Sequence, residues 1–417
     1  MAVIATHVGR LGLRTAIALM SLATVFAQPP ANVPASVGVY AGVGEELIAF
    51  ALDVERTTLT RRSSVMLPGF VQEAWASPST PLLYVAWSNG GASYAGSGVD
   101  PLGDRHGITV FRIAADGALH EHGTSAPLRS RPIHITGDEP GRHLLVAYND
   151  PSGVSVHVIN SDGSVGGEVP QLPSIDAGIY AHQVRVLPSN RAVVVVTRGN
   201  EPTAASREDP GALKVFRYAA GALSNEISIA PQNGVGFRAR HLDFHPTRSW
   251  VFLTLESQNR LQVYRRTDEG LDPTPLFSVS TLSDGGANAR GQTTSTVHVH
   301  PNGRFVYVGN RGTPAAGGRN EIAVFRINEA TGEPSLIQNV DTRGFTPRTF
   351  ALDPSGRLLV VGNQSSVPVR DGDSATMVPA NLAVFRVGSD GTLEFVQRHD
   401  VAVGRKPLWW MGIVARH

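Results

Sequence analysis

The sequence predicts an all-β fold, a seven-bladed β-propeller closed by pairing of its N- and C-terminal strands, and three observations carry that expectation. A short turn followed by a β-branched strand recurs along the chain, a second strand of alternating apolar and polar residues recurs with it, and each chain end holds one incomplete repeat. The composition agrees: 44 Gly and 28 Pro among 417 residues, with only 17% charged, describe a turn-rich β chain rather than a helical one.

The first repeat opens on Ser77-Pro78, Glu139-Pro140, Leu187-Pro188, His245-Pro246, His300-Pro301 and Asp353-Pro354, with the prolines roughly 48 to 62 residues apart. Each turn feeds a short run such as Leu83–Val85, Leu144–Val146, Val193–Val196, Val251–Leu253, Phe305–Val308 or Leu358–Val361. The second repeat reads Ile108–Ile113, Val154–Ile159, Leu213–Tyr218, Leu261–Tyr264, Ile322–Ile327 and Leu382–Val387, the pattern expected of a half-buried outer strand. A seventh copy, Leu47–Leu52, lacks an inner partner, which Pro407–Val414 at the far end can supply; pairing the two ends closes a ring and hides edge strands. Residues 36–417 are therefore read as one propeller domain. No Trp-Asp dipeptide ends a blade, which sets the chain apart from WD40 propellers. Long insertions at Ser88–His106, Gly199–Gly211, Gly312–Arg319 and Gln364–Ala380 are of a length usually found in functional or disordered loops.

Residues 1–27 have the layout of a signal peptide: Arg10 and Arg14 precede an apolar run ending in Val25-Phe26-Ala27, a small-x-small cleavage site. A periplasmic or secreted protein is expected, with no membrane attachment after the leader is removed. Absence of cysteine excludes a disulfide framework and thiolate catalysis. A net charge of +1 lacks the concentrated basic surface that nucleic acid demands. The expected partner is a small uncharged or weakly anionic ligand, bound by a monomer.

Candidate chemistry gathers where a propeller makes its pocket, at the innermost strands near the axis. His182 opens that strand of the fourth blade, Arg240 and His241 that of the fifth, while Glu256 and Arg311 end the second strands of the fifth and sixth. Two arginines can hold a carboxylate or phosphate and stabilise an oxyanion, and His182 with Glu256 can move the protons that ester hydrolysis needs. The catalytic candidates are thus His182 and Glu256, and the substrate-binding candidates Arg240, Arg311, His241 and Arg198. His245, His298 and His300 invite a zinc reading, but His245 and His300 stand at the repeat's turn position, where Asp353 also stands; no metal and no cofactor are expected.

The stretches Arg240–Pro246, Val299–Gly312, Pro347–Arg357 and Gly362-Asn363-Gln364 together resemble the seven-bladed propeller lactonases, a family that includes 6-phosphogluconolactonases and fungal carboxymuconate-lactonising enzymes. The resemblance implies a metal-independent carboxylic ester hydrolase opening a sugar or muconate-type lactone, with active-site groups falling on His182, Arg240, Glu256 and Arg311. The chain departs from the family pattern where Thr197-Arg198-Gly199 replaces Asp-Leu-Gly and where Thr296 replaces an acidic residue. The alternative is a non-catalytic secreted propeller that presents its loops to a carbohydrate, cell-wall or protein ligand.

Overall fold

The computed structural model describes Met1 and residues 36–90, 103–171, 173–286, 289–312, 318–371 and 374–415. The expected leader, Met1 apart, lies outside these segments, as do most of the Ser88–His106 and Gly312–Arg319 insertions.

Seven antiparallel blades follow one another, six of four strands and one, blade 2, of five, where Leu119–Glu121 and Ala126–Pro127 both pair with His106–Ile113. Blades 2 to 7 begin with their innermost strands Phe70–Ala76, Pro132–Gly137, Ala181–Val186, Ala239–Phe244, Gln292–Val299 and Phe345–Leu352. Blade 1 is shared: its innermost strand, Leu408–Val414, pairs with Ser36–Val43, which in turn pairs with Glu46–Asp53 and that with Thr58–Met66. The strand Ser36–Val43 has no counterpart in the sequence expectation, which joined Leu47–Leu52 to the C-terminus without it.

The six proline turns feed the second strands of blades 2 to 7, and these strands, such as Leu82–Ser88, Ala192–Thr197 and Trp250–Leu255, are buried along nearly all their length. The strands expected to be outer and half-buried are third in the blade and largely buried as well, as in Glu46–Asp53 and Glu321–Ile327. The half-buried pattern belongs to the fourth strands, such as Thr58–Met66 and Leu393–Asp400. The reason is that every blade is covered on both faces by its neighbours. Apolar clusters accordingly join residues of adjacent blades, as where Val194 and Val215 of blade 4 meet Leu242 and Leu253 of blade 5. Each buried Val or Leu contributes about 1.5–3 kcal/mol of apolar transfer free energy.

The turn histidines tie blade to blade. His245 Nδ1 accepts from the backbone N–H groups of Thr247 and Arg248, and its Nε2 donates to the Gly303 carbonyl of the next blade's turn at 2.8 Å. His300 repeats the arrangement, accepting from Asn302 and reaching the Gly356 carbonyl at 2.9 Å. The insertion Gln364–Ala380 is not a loop throughout: Val367–Asp371 and Ser374–Val378 pair as a hairpin.

One irregularity recurs in all seven blades. The ladder between innermost and second strand skips Trp409, Gln72, Ile133, His182, the pair Arg240-His241, the pair Ser295-Thr296, and Arg348 in turn. These are β-bulges, which leave a residue unpaired, bend the strand and re-aim its side chain. Gly309 stands opposite the two-residue bulge of blade 6, where an added Cβ would meet Ser295 Oγ at 2.2 Å. Two rings of side chains result. Trp409, Gln72, His182, Arg240, Ser295 and Arg348 form a buried first ring, while Ile133 packs into the core. Trp410, Glu73, His134, Gln183, His241, Thr296 and Thr349 form a second ring beneath it.

Candidate active site

The first ring is a septum across the axis. On the side where the innermost strands begin lies a pocket of about 970 Å³. On the other side, a cavity of about 240 Å³ is lined by the second ring. The septum is held by contacts across blades: Arg348 stacks 3.6 Å over the Trp409 ring and donates to its carbonyl, and Ser295 Oγ donates to the Pro347 carbonyl.

Glu256 sits on the pocket floor, 2% exposed, at the junction of three blades. Arg198 of blade 4 pairs with its Oε2 through Nε, and Arg311 of blade 6 pairs with Oε1 through Nη2. Arg240 Nε of its own blade lies 3.2 Å from Oε1. Each partner is fixed in turn. Arg311 Nη2 also donates to the Thr294 carbonyl at 3.0 Å, and Arg198 donates to Glu201 at 3.1 Å while lying over the Tyr180 ring. Tyr180 holds a left-handed φ of 58°, two residues before His182; Arg238 and Thr346 repeat this two residues before Arg240 and Arg348, with φ of 47° and 57°. The strained residue turns the chain into the bulge, and its carbonyl accepts the first N–H of the neighbouring second-strand end, as from Arg198 to Tyr180 and from Glu256 to Arg238.

Burial alone would raise the Glu256 pKa, but the guanidiniums of Arg311, Arg240 and Arg198 overcome it and hold the carboxylate well below its usual range. His182 lies behind this cluster rather than on the pocket wall. Burial, and then the charge of Arg240, push its pKa well below the ordinary histidine value, so its imidazole is neutral. Its Nδ1 is buried without a hydrogen-bond partner. The structure therefore brings Glu256, Arg198, Arg240 and Arg311 into direct contact with His182 beside them. His241 turns the other way: it lines the far cavity, where its Nδ1 shares a 2.9 Å hydrogen bond with Thr296 Oγ1. Of the histidines that invite a metal, His245 and His300 are engaged in their turns, and His298 lies 3.7 Å from Asp243.

The sequence of residues 35–371 matches the profile described as Lactonase, 7-bladed beta-propeller. The chain belongs to this lactonase family. Among its curated relatives, a 6-phosphogluconolactonase of Yersinia pestis is 27% identical over 353 residues, spanning 84% of this chain and 90% of the relative. Another, of Bacillus subtilis, is 24% identical over 367 residues, spanning 84% and 95%. Solved structures share the fold. A protein from Lactobacillus plantarum superposes with a TM-score of 0.69 at 22% identity, covering 91% of this chain and 99% of that one. The periplasmic gluconolactonase of Pseudomonas aeruginosa does so with 0.66 at 21% identity, covering 92% and 100%.

Within this family member, residues beyond the sequence candidates take part in the site. Glu201 braces Arg198 and accepts from Ser257 Oγ at 3.1 Å. The Gly199–Gly211 insertion that carries Glu201 also contributes Asn200, Thr203, Ser206 and Asp209 to the pocket. Its length and composition marked it as a functional loop, but nothing local marked Glu201.

Proposed function

We propose that this protein is a periplasmic or secreted lactone hydrolase, metal-independent, acting on a neutral polyhydroxylated sugar lactone. The observation that carries the reading is a buried carboxylate on a pocket floor, bridged by three arginines drawn from three blades. The names of the curated relatives support lactone opening as the reaction type. The apolar run behind Arg10 and Arg14 supports export.

The reaction divides among these groups as follows. Before substrate enters, the guanidiniums are directed at Glu256 and suppress its basicity. A lactone whose carbonyl oxygen takes hydrogen bonds from Arg198 and Arg311 competes for those donors, so Glu256 regains basicity as the carbonyl is polarised. Water attacks the carbonyl carbon and gives its proton to Glu256, and the tetrahedral oxyanion is held by the two arginines. The ring C–O bond then breaks, and the ring oxygen takes the proton back from Glu256. The product acid ionises and releases one proton.

The pocket also speaks to the substrate. With Arg198, Arg240 and Arg311 engaged by Glu256, the carboxylates of Asp150, Glu201 and Asp209 on the walls repel an anion. Asn149, Ser152, Thr203, Ser206 and Thr293 offer hydrogen bonds to hydroxyls. A neutral sugar lactone fits this lining better than a muconate-type lactone or another anion. The test is turnover of D-glucono-1,5-lactone, its 6-phosphate and muconolactone by the purified mature chain. The neutral sugar lactone is expected to be fastest, with Glu256→Gln and Arg311→Ala each losing about 100-fold or more. Binding of a sugar lactone without turnover would make the protein a carbohydrate-binding propeller instead.

A further inference from the structure

The lactonase reading leaves a proton to dispose of, and the site is poorly made to keep it. His182, the neutral group behind Glu256, stands beside Arg240, which penalises a second positive charge. The septum continues below it as ionisable side chains. The His182 ring lies edge-on to His241 with centroids 5.0 Å apart, and His241 lies edge-on to His134 at 6.1 Å. His134 and Glu73 sit side by side in the second ring on adjacent blades and line the same cavity. His134 Nδ1 is buried without a hydrogen-bond partner, and Glu73 accepts from the indole of Trp410. The cavity reaches the far face, where the His298 side chain is 37% exposed.

We propose that His182, His241, His134 and Glu73 form a proton path through the septum, carrying the proton released by lactone opening away from the active-site pocket to the cavity on the opposite face. This inference rests on the lactonase reading. The balance is simple: the product carboxylic O–H breaks as its proton passes to Glu256, which borders both the pocket and His182, then an N–H forms on His182, and that proton passes to His241. From there it moves to the group formed by His134 and Glu73 and then to solvent in the far cavity, leaving the product as carboxylate. Bulk water cannot do this across the axis, because Arg348, Trp409, Gln72 and Ser295 fill the rest of the septum.

The charges facing Glu73 set its role as the path's terminus. His134 comes from blade 3, Arg185 from blade 4, Arg240 and His241 from blade 5, His298 from blade 6 and Arg348 from blade 7; from blade 1 the Trp410 indole donates to it. Burial raises the Glu73 pKa to about 8 despite its hydrogen bonds and the charges of Arg348 and Arg240. It therefore keeps its proton at neutral pH and exchanges it just above. Burial lowers His134 to about 3, so its ring transmits a proton without storing one.

The experiment measures proton release with a pH indicator during enzymatic opening of D-glucono-1,5-lactone, in dilute buffer and with added imidazole. It compares the full-length mature wild type with Glu73→Gln and His134→Phe. In both variants kcat is expected to fall about tenfold in dilute buffer with KM unchanged and to recover with imidazole, and Glu73→Gln is to lose the step near pH 8 in its kcat profile. The conservative Glu73→Asp, which restores a carboxyl, is expected to regain that step. Active wild type with variants of unchanged kcat, buffer dependence and pH profile overturns the path alone. A wild type that opens no lactone overturns the lactonase reading and the path with it.

Discussion

Replacing Glu256 by Gln removes one negative charge from the centre of three guanidiniums while keeping nearly the same volume. The carboxylate is 2% exposed, contacts Arg198 and Arg311 directly and has Arg240 at 3.2 Å, so the variant leaves three cations facing one another in a poorly solvated site. Breaking a buried pair by removing one partner costs about 3–5 kcal/mol, and a shared anion belongs at the upper end. The pH dependence has a definite sign. The folded carboxyl is depressed below its ordinary 4.5, so ionised Glu256 contributes stability that is fully present above that value and is lost only as pH falls toward the folded pKa. Thermal unfolding followed by circular dichroism should therefore give a gap between wild type and Glu256→Gln that is constant from pH 8 to about 5 and narrows only on further acidification. A variant as stable as wild type at pH 7, or a gap that closes between pH 8 and 6, would refute the assignment of Glu256 as the common anion of the arginine cluster.

Other consequences are equally measurable. Because the Glu73 carboxyl is raised to about 8 in the folded protein, its protonated form contributes stability that is complete below about 4.5 and lost as pH rises through 8; urea unfolding of Glu73→Gln should lack that decline. His245→Ala removes a side chain that accepts two backbone N–H groups and donates to Gly303, so a loss of about 2–3 kcal/mol is expected with lactone turnover per folded molecule unchanged. Ending the chain at Pro407 deletes the innermost strand of blade 1 and bares the edge of Ser36–Val43; the truncated protein should aggregate rather than melt cooperatively, as light scattering during heating would reveal.

Much of the fold was legible because a propeller repeats a simple pattern: a proline turn followed by a strand buried on both faces gives runs such as Ala192–Thr197 that no surface element would carry. The innermost strands were less legible. A bulge breaks the two-residue alternation at the point where the chain approaches the axis, so Phe70–Ala76 and Pro132–Gly137 carry no clean period. Glu73 and His134 were missed for that reason. Their position immediately after the skipped residue, shared with Gln183, Thr349 and Trp410, is a signal visible only once the register is known. Glu256 and Arg311 were easier to find, since Glu256 directly follows the mostly apolar strand Trp250–Leu255 and Arg311 stands near the end of Phe305–Gly312. Arg198 drew notice as a departure from the family pattern, but its ion pair with Glu256 needed the blades in space.

The seven bulges also bear on how such a protein can change. A residue outside the hydrogen-bond ladder can be exchanged without disturbing the pairing that holds its strand, and here six such places converge on one axis. Evolution, or a laboratory library randomised at 72, 182, 240, 295, 348 and 409, can rewrite the chemistry of the septum as one would swap cartridges in a fixed frame. New activities on this scaffold then need coordinated changes at a few converging positions, with no new backbone.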